Sequence, residues 1–145
     1  MSVFISFNVK ALTILEQADI AYQQGDLKKS TKYYEYELSK NKNSIPAKIG
    51  LAKAYAASNK LNKSATLYNE LLVELPNDYD IQLNLSFVYM HQKKWLLARN
   101  ILTQLYALDN NNIQVMNWLM SIYVQMGELE LAEELHQLIK KQNKP

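Results

Sequence analysis

Residues 21–34 read "AYQQGDLKKSTKYY", and in them Gly25 and Asp26 separate two stretches with the composition of helices. Near the other end, residues 123–136 read "YVQMGELELAEELH", with Gly127 and Glu128 in the same place. The two glycines lie 102 residues apart, which is three times 34. This spacing suggests that one structural unit is written four times.

Further residues repeat at the same interval without a gap. A fixed period in this range is typical of stacked repeats, in which each unit is one supersecondary element. The columns, each stepping by 34 residues, are Leu51–Leu85–Leu119, Tyr55–Tyr89–Tyr123, Leu27–Leu61–Trp95–Leu129 and Ser30–Ser64–Ala98–Ala132.

Each unit is predicted to be a helix, a tight turn and a second helix, because apolar residues recur at helical spacing on both sides of the Gly25 column. A chain that leaves one helix and immediately enters another commonly needs a left-handed residue, which glycine adopts freely and asparagine tolerates. Gly25, Asn59 and Gly127 satisfy this, whereas Lys93 stands at the third of the four turns and is expected to be strained there. Asp26 is expected to cap the helix that follows it.

Composition favours an all-α fold. Only three glycines and three prolines leave few turn formers for an all-β protein, and the long Leu-, Ala-, Glu-, Gln- and Lys-rich stretches favour helix. The apolar runs are too short to span a membrane, and the start resembles no secretory signal. We therefore expect a cytoplasmic location, with the periplasm left open if the chain is a fragment.

Nothing in the sequence predicts catalysis, a cofactor or a metal site. There is no cysteine, and the two histidines, His91 and His136, lie in different units without a zinc-binding spacing. His91 is expected at a groove rim and His136 in an aromatic packing position. The chain is expected not to be an enzyme.

The repeat resembles the tetratricopeptide repeat (TPR) family, through its 34-residue period and its pattern of Leu51-Ala52, Tyr55, Ser64, Tyr68 and Pro76 in the second unit. The resemblance divides the chain into an N-terminal apolar arm (1–10) and four units (11–44, 45–78, 79–112 and 113–145). It implies an α-solenoid, a right-handed superhelix whose concave groove is lined by the first helices. It also implies a protein–protein interaction module.

By this resemblance, the residues between the packing columns of the first helices line the groove. They are Leu15, Asp19, Tyr22, Ile49, Lys53, Ala56, Leu83, Phe87, Met90, Asn117, Ser121 and Val124. Most are apolar and only Lys53 is basic, which argues against a clamp for an acidic tail and favours an apolar or amphipathic partner segment, with Ile49, Leu83, Phe87 and Met90 as anchors. Two alternatives remain: these side chains belong to the core, or the N-terminal arm fills the groove.

Two further surfaces are candidates for contacts. The C-terminal end is expected to form a second interface or a homodimer through Leu97, Leu131, Leu135, Leu138 and Ile139, unless the chain is a fragment of a longer protein. The arm, with Val3, Ile5, Phe7 and Val9, is expected to contact its own groove, a second copy or a partner, or else to be disordered.

Between Leu38 and Asn69 there are six lysines, at positions 40, 42, 48, 53, 60 and 63, and no acidic residue. Such a patch attracts nucleic acid or an acidic partner, although a solvated face is the better interpretation without any arginine.

Three functions follow as hypotheses: an adaptor or scaffold subunit of a multiprotein assembly, a dedicated chaperone for a bacterial secretion or pilus component, and a binder of nucleic acid or acidic partners through the lysines.

Overall fold

The computed structural model describes residues 11–142, and every regular element in that range is an α-helix. In chain order the helices are α1 (Ile14–Gln23), α2 (Leu27–Lys40), α3 (Ile45–Ala57), α4 (Leu61–Glu74), α5 (Tyr79–His91), α6 (Trp95–Leu108), α7 (Ile113–Met126) and α8 (Leu129–Gln142). The second helices of the four pairs begin at intervals of 34 residues, so the predicted period is confirmed. The N-terminal arm (1–10) lies outside the described residues.

All four tight turns contain a left-handed residue at the predicted position. Gly25 and Gly127 have φ of +77°, and Asn59 and Lys93 have φ of +58°. The turn geometry therefore follows the period even where the residue is a lysine, which pays a steric cost in this conformation.

Side chains cap most of the helices. The Thr13 hydroxyl and the Glu16 carboxylate form a reciprocal capping box, which explains why α1 begins at Ile14, three residues inside its unit. Asp26 accepts a hydrogen bond from the Lys29 backbone N–H at 3.0 Å, as predicted. By contrast, α4 and α6 start directly after Lys60 and Lys94 without a side-chain cap.

Small residues at the helix contacts let the units stack closely. The column of Ser30, Ser64, Ala98 and Ala132 is buried throughout, and the Ser64 hydroxyl donates to the Ala52 carbonyl oxygen at 2.8 Å. Three apolar clusters then follow one another along the array and together form its core. This continuous core is the expected consequence of units that cannot bury their apolar faces alone.

One packing prediction is wrong. His136 occupies the position equivalent to Tyr34, Tyr68 and Leu102, all of which are almost completely buried, yet His136 itself is exposed. Those three side chains are covered by the helices of the next unit, and no described helix follows α8.

Candidate functional site

The helix contacts identify the inner side of the solenoid. Among the described helices, α1 packs against α3 and α3 against α5, whereas no two second helices come comparably close. The array is therefore shorter along the first helices, which line its concave face.

The side chains predicted to line the groove lie at the edge between core and solvent. Six of the twelve are half-buried and also pack against the apolar clusters, namely Leu15, Tyr22, Ile49, Ala56, Leu83 and Met90. The exposed ones are Asp19, Lys53, Phe87, Asn117, Ser121 and Val124. None of the groove candidates is fully buried, although half of them serve the core as well.

The N-terminal half of this face contains a cleft of about 540 Å³ between α1 and α3. Tyr22 and Ile49 give it apolar walls, and Asp19 and Lys53 give it one charge of each sign. The Tyr34 hydroxyl donates a hydrogen bond to Asp19 from below. Burial, reinforced by this bond, raises the pKa of Tyr34 well above its ordinary value, so the phenol stays protonated and fixes the carboxylate.

The C-terminal half carries an aromatic cluster that joins α5 to α7. The Phe87 ring centroid lies 4.1 Å from that of His91 and 5.7 Å from that of Trp118, with both pairs tilted. The His91 Nδ1 atom lies 3.0 Å from the Phe87 carbonyl oxygen, which holds the imidazole beside the ring. Phe87 remains 37% exposed and Val124, on α7, 50% exposed.

Trp118 is the groove residue that the sequence analysis missed. It follows Asn117, one position beyond the predicted lining column, where the second unit has Gly50 and the third has Asn84. The sequence signal that could have identified it is a tryptophan at a position where the other units have small or polar residues.

The predicted second interface divides into two groups. Leu97, Leu131 and Leu138 are exposed. The assignment of Leu135 is wrong, since this side chain is 7% exposed and belongs to the core cluster, against which Ile139 also packs. Leu135 shares its position with Leu67 and Ile101, which face the same core in their own units.

The lysines between positions 40 and 63 do not form one free surface. Lys48 pairs with Glu74 at 2.6 Å. Lys60 and Lys63 both lie over the ring of Tyr55, 5.6 Å and 5.4 Å from its centroid. These amines are therefore directed to groups of the protein itself.

Within residues 11–142 the structure contains neither a metal-binding cluster nor a membrane-spanning helix. No group of three or more His, Asp or Glu side chains there is arranged to hold a metal ion. No helix in that part of the chain combines the length and the hydrophobicity needed to cross a bilayer.

The fold and the stacked helix pairs define a tetratricopeptide-repeat solenoid. No protein-family model matches the sequence. Cellulose synthase operon protein C of Pseudomonas fluorescens (strain SBW25) is 27% identical over 121 residues, which cover 83% of this chain. The chain spans about a tenth of that relative's length.

Solved structures share the fold at low sequence identity. A tetratricopeptide repeat protein from Parabacteroides merdae ATCC 43184 has a TM-score of 0.80 at 16% identity, covering 89% of this chain and 50% of that one. MamA from Desulfovibrio magneticus RS-1 has a TM-score of 0.82 at 12% identity, covering 91% and 76%. YrrB, a TPR protein with an unusual peptide-binding site, has a TM-score of 0.76 at 16% identity, covering 92% and 69%.

Proposed function

We propose that this chain is a non-catalytic protein–protein interaction module that binds an apolar or amphipathic segment of a partner in its concave groove, as an adaptor or scaffold subunit of a larger assembly. The observation that carries the proposal is the aromatic cluster of Phe87, His91 and Trp118, in which Phe87 and His91 are exposed and Trp118 is half-buried. Large apolar side chains grouped on a concave face are what a partner helix or extended peptide needs as an anchor.

The groove offers different chemistry at its two ends. The cleft at Asp19 and Lys53 has paired charges that orient a polar or charged group, while the region from Leu83 to Val124 is mainly apolar. A partner segment with an apolar end and a polar end therefore fits in one direction only. YrrB, which shares the fold, is a TPR protein with an unusual peptide-binding site, and this supports peptide binding by a solenoid of this kind.

A chaperone for a secretion or pilus component would use the same groove, and no separate observation favours it over an adaptor. The lysine face is the weaker alternative for nucleic acid or an acidic partner, because Lys48 is paired and Lys60 and Lys63 face an aromatic ring.

The experiment is native mass spectrometry of the tagged chain recovered from its own host, for the unmodified chain and two variants. Phe87→Glu places a charge inside the aromatic cluster, and Leu108→Glu is the matched control, because Leu108 is 75% exposed and lies on a second helix, away from the groove. We expect a partner that is retained at high salt by the unmodified chain and by Leu108→Glu, and lost from Phe87→Glu.

Full retention of the partner by Phe87→Glu would refute the groove assignment. Loss of the partner from every sample as salt rises would instead favour binding through the lysines, since such contacts weaken steeply with ionic strength.

A further inference from the structure

One edge of each second helix borders the following unit. On α4 this edge consists of Asn62, Ala65, Thr66, Asn69, Glu70 and Val73, and we call it the outgoing stripe. Ala65 is buried at the junction, and the other side chains of the stripe remain exposed. Gln92 of the next unit donates to the Asn62 side-chain oxygen at 2.8 Å, and Asn69 donates to the Tyr89 hydroxyl at 3.1 Å. Polar side chains at fixed positions therefore bridge one unit to the next.

The outgoing stripe of α6 works in the same way with a charged pair. Arg99, which stands 34 residues after Ala65, donates from Nη1 to Oε1 of Glu128 at 2.8 Å. Glu128 lies in the turn that opens α8, next to Leu131 in the same junction. The junction between the last two units thus depends on a cation from the stripe and a carboxylate from the incoming unit.

The outgoing stripe of α8 is open in the part of the chain that the structure describes. It borders a broad cleft of about 820 Å³, lined by Leu129, Glu130, Glu133, Glu134, Gln137, Leu138 and Lys141. Leu129 is 63% exposed and Leu138 42% exposed. Apart from Leu129, each of these residues is the 34-residue counterpart of a stripe position on α6 and, one unit earlier, on α4.

The charge of this last stripe is reversed. Glu133 takes the place that Arg99 holds on α6, and Glu130 and Glu134 flank it on the same side. Gln137 donates to Glu133 at 2.6 Å and leaves the rest of that carboxylate open to a donor from outside. An occupant that forms the equivalent of the Arg99–Glu128 pair must therefore supply the cation itself.

A second copy of this chain is a poor occupant. Stacked head to tail, it would present Asp26, the counterpart of Glu128, to Glu133. Two carboxylates would then meet where the internal junction has an ion pair, and the counterpart of Tyr89 would be Ala21, which cannot make its hydrogen bond. Like charges placed opposite each other oppose such an association.

We propose that the outgoing stripe of α8 docks a basic amphipathic helix of another protein, with apolar side chains on Leu129 and Leu138 and a lysine or arginine on Glu133. The acidic stripe stands out on a chain whose net charge is +2, so the attraction for a cation is local to this end. This interface is separate from the groove and gives the module a second point of attachment, as an adaptor requires.

The probe is a short synthetic amphipathic helical peptide of leucine and lysine, compared with the same peptide carrying glutamate in place of lysine. Binding is followed by chemical-shift changes in the isotope-labelled chain and by fluorescence anisotropy. We expect the lysine peptide to shift resonances of α8 and the adjacent face of α6, and the glutamate peptide to bind at least about tenfold more weakly, as for loss of a close charge pair.

Glu133→Lys should weaken the lysine peptide by about tenfold and strengthen the glutamate peptide. Glu70→Lys is the matched control, with the same charge change at an exposed glutamate of α4, and it should alter either affinity by less than about twofold. Because Glu133 is exposed, thermal unfolding of its variant should match that of the unmodified chain, which excludes misfolding as the cause.

Equal binding of the two peptides, an unchanged affinity in Glu133→Lys, or shifts confined to the first helices would each overturn the proposal. So would a concentration-dependent dimer of the isolated chain that Glu133→Lys disrupts, since a second copy would then be the occupant. Phe87→Glu should leave this binding intact, so a failure of the groove and a failure of the stripe give different results.

Discussion

Gly50 of α3 lies directly against the phenol ring of Tyr34 on α2, with no room for a side-chain carbon between them. Tyr34 is 2% exposed, and its hydroxyl donates to Asp19 on α1. One glycine thus allows a single aromatic ring to connect the first three helices beneath the N-terminal cleft of the groove.

Replacement of this glycine tests whether packing or helix propensity decides stability. Alanine is better than glycine in a helix interior by about 1 kcal/mol. Here its methyl group would displace the buried Tyr34 ring, and overpacking of this kind costs about 1–3 kcal/mol. We expect Gly50→Ala to lower the free energy of unfolding, measured by urea denaturation, and to weaken binding in the adjacent cleft.

The control is the double variant Gly50→Ala with Tyr34→Leu. Removal of the ring opens space for the methyl group, so alanine should be less harmful in that background than in the unmodified chain. A Gly50→Ala chain more stable than the original would show that the ring relocates at little cost.

The left-handed turns show how far sequence periodicity alone reaches. The glycine column and its asparagine predict a positive φ by residue type, and the register alone assigns the same conformation to Lys93. Backbone geometry follows from the period because each tight turn must connect two helices of fixed spacing. The period does not determine which side chains touch one another, so the individual side-chain contacts could be identified only from the structure.

Replacement of Lys93 by glycine should stabilise the folded chain. A left-handed backbone costs a residue with a Cβ about 1–2 kcal/mol, while glycine adds about 0.4–1 kcal/mol of unfolded-state entropy. We expect Lys93→Gly to raise the free energy of unfolding by about 0.5–1 kcal/mol, the difference between those terms. Thermal and urea denaturation would measure it.

Asn59→Gly is the natural comparison, because Asn59 has the same φ in the equivalent turn. Asparagine tolerates the left-handed region better than lysine, so its gain should be smaller. An equal gain at both positions would mean that the residue type contributes nothing to the strain.

The groove was less predictable than the fold, for reasons visible in particular residues. The period gave the lining column, but Trp118 reaches Phe87 from one position outside it because of its size. Leu135 was misassigned because apolar character alone does not distinguish an inward from an outward position at the end of an array. Its counterparts Leu67 and Ile101 already showed the inward direction.

Ala98 should not tolerate a charge. It is completely buried in the small-residue column, at the contact between the helices of the third unit. An unpaired carboxylate forced into such a site typically costs about 3–5 kcal/mol, a large part of the stability of a domain this size. We expect Ala98→Glu to unfold the chain or nearly so, seen as loss of helical circular dichroism.

Asn100→Glu, two residues further along the same helix but exposed, is the matched control and should keep the helical signal and a nearly unchanged midpoint. A folded Ala98→Glu chain of normal stability would contradict the close packing assigned to this column.

The chain should lose stability in strong alkali through its buried tyrosines. Burial, together with a hydrogen bond to Glu35 at 2.9 Å, raises the pKa of Tyr55 to about 12, from an ordinary value of 10.0. Burial also raises the pKa of Tyr68. Above the ordinary pKa the unfolded tyrosine releases its proton while the folded one keeps it, so the unfolded state is stabilised relative to the folded state as pH rises.

The stabilising effect of Tyr55 is therefore complete below about pH 10 and disappears by about pH 12, as follows from the two pKa values and proton linkage. Tyr55→Phe cannot ionise and should flatten the fall in stability across this window, while Tyr36→Phe, at an exposed position, should leave the pH profile unchanged. Urea denaturation at stepped pH, with tyrosinate absorbance followed in parallel, measures both effects. Early titration of every tyrosine in the folded chain would show that the Tyr55–Glu35 contact does not hold the proton.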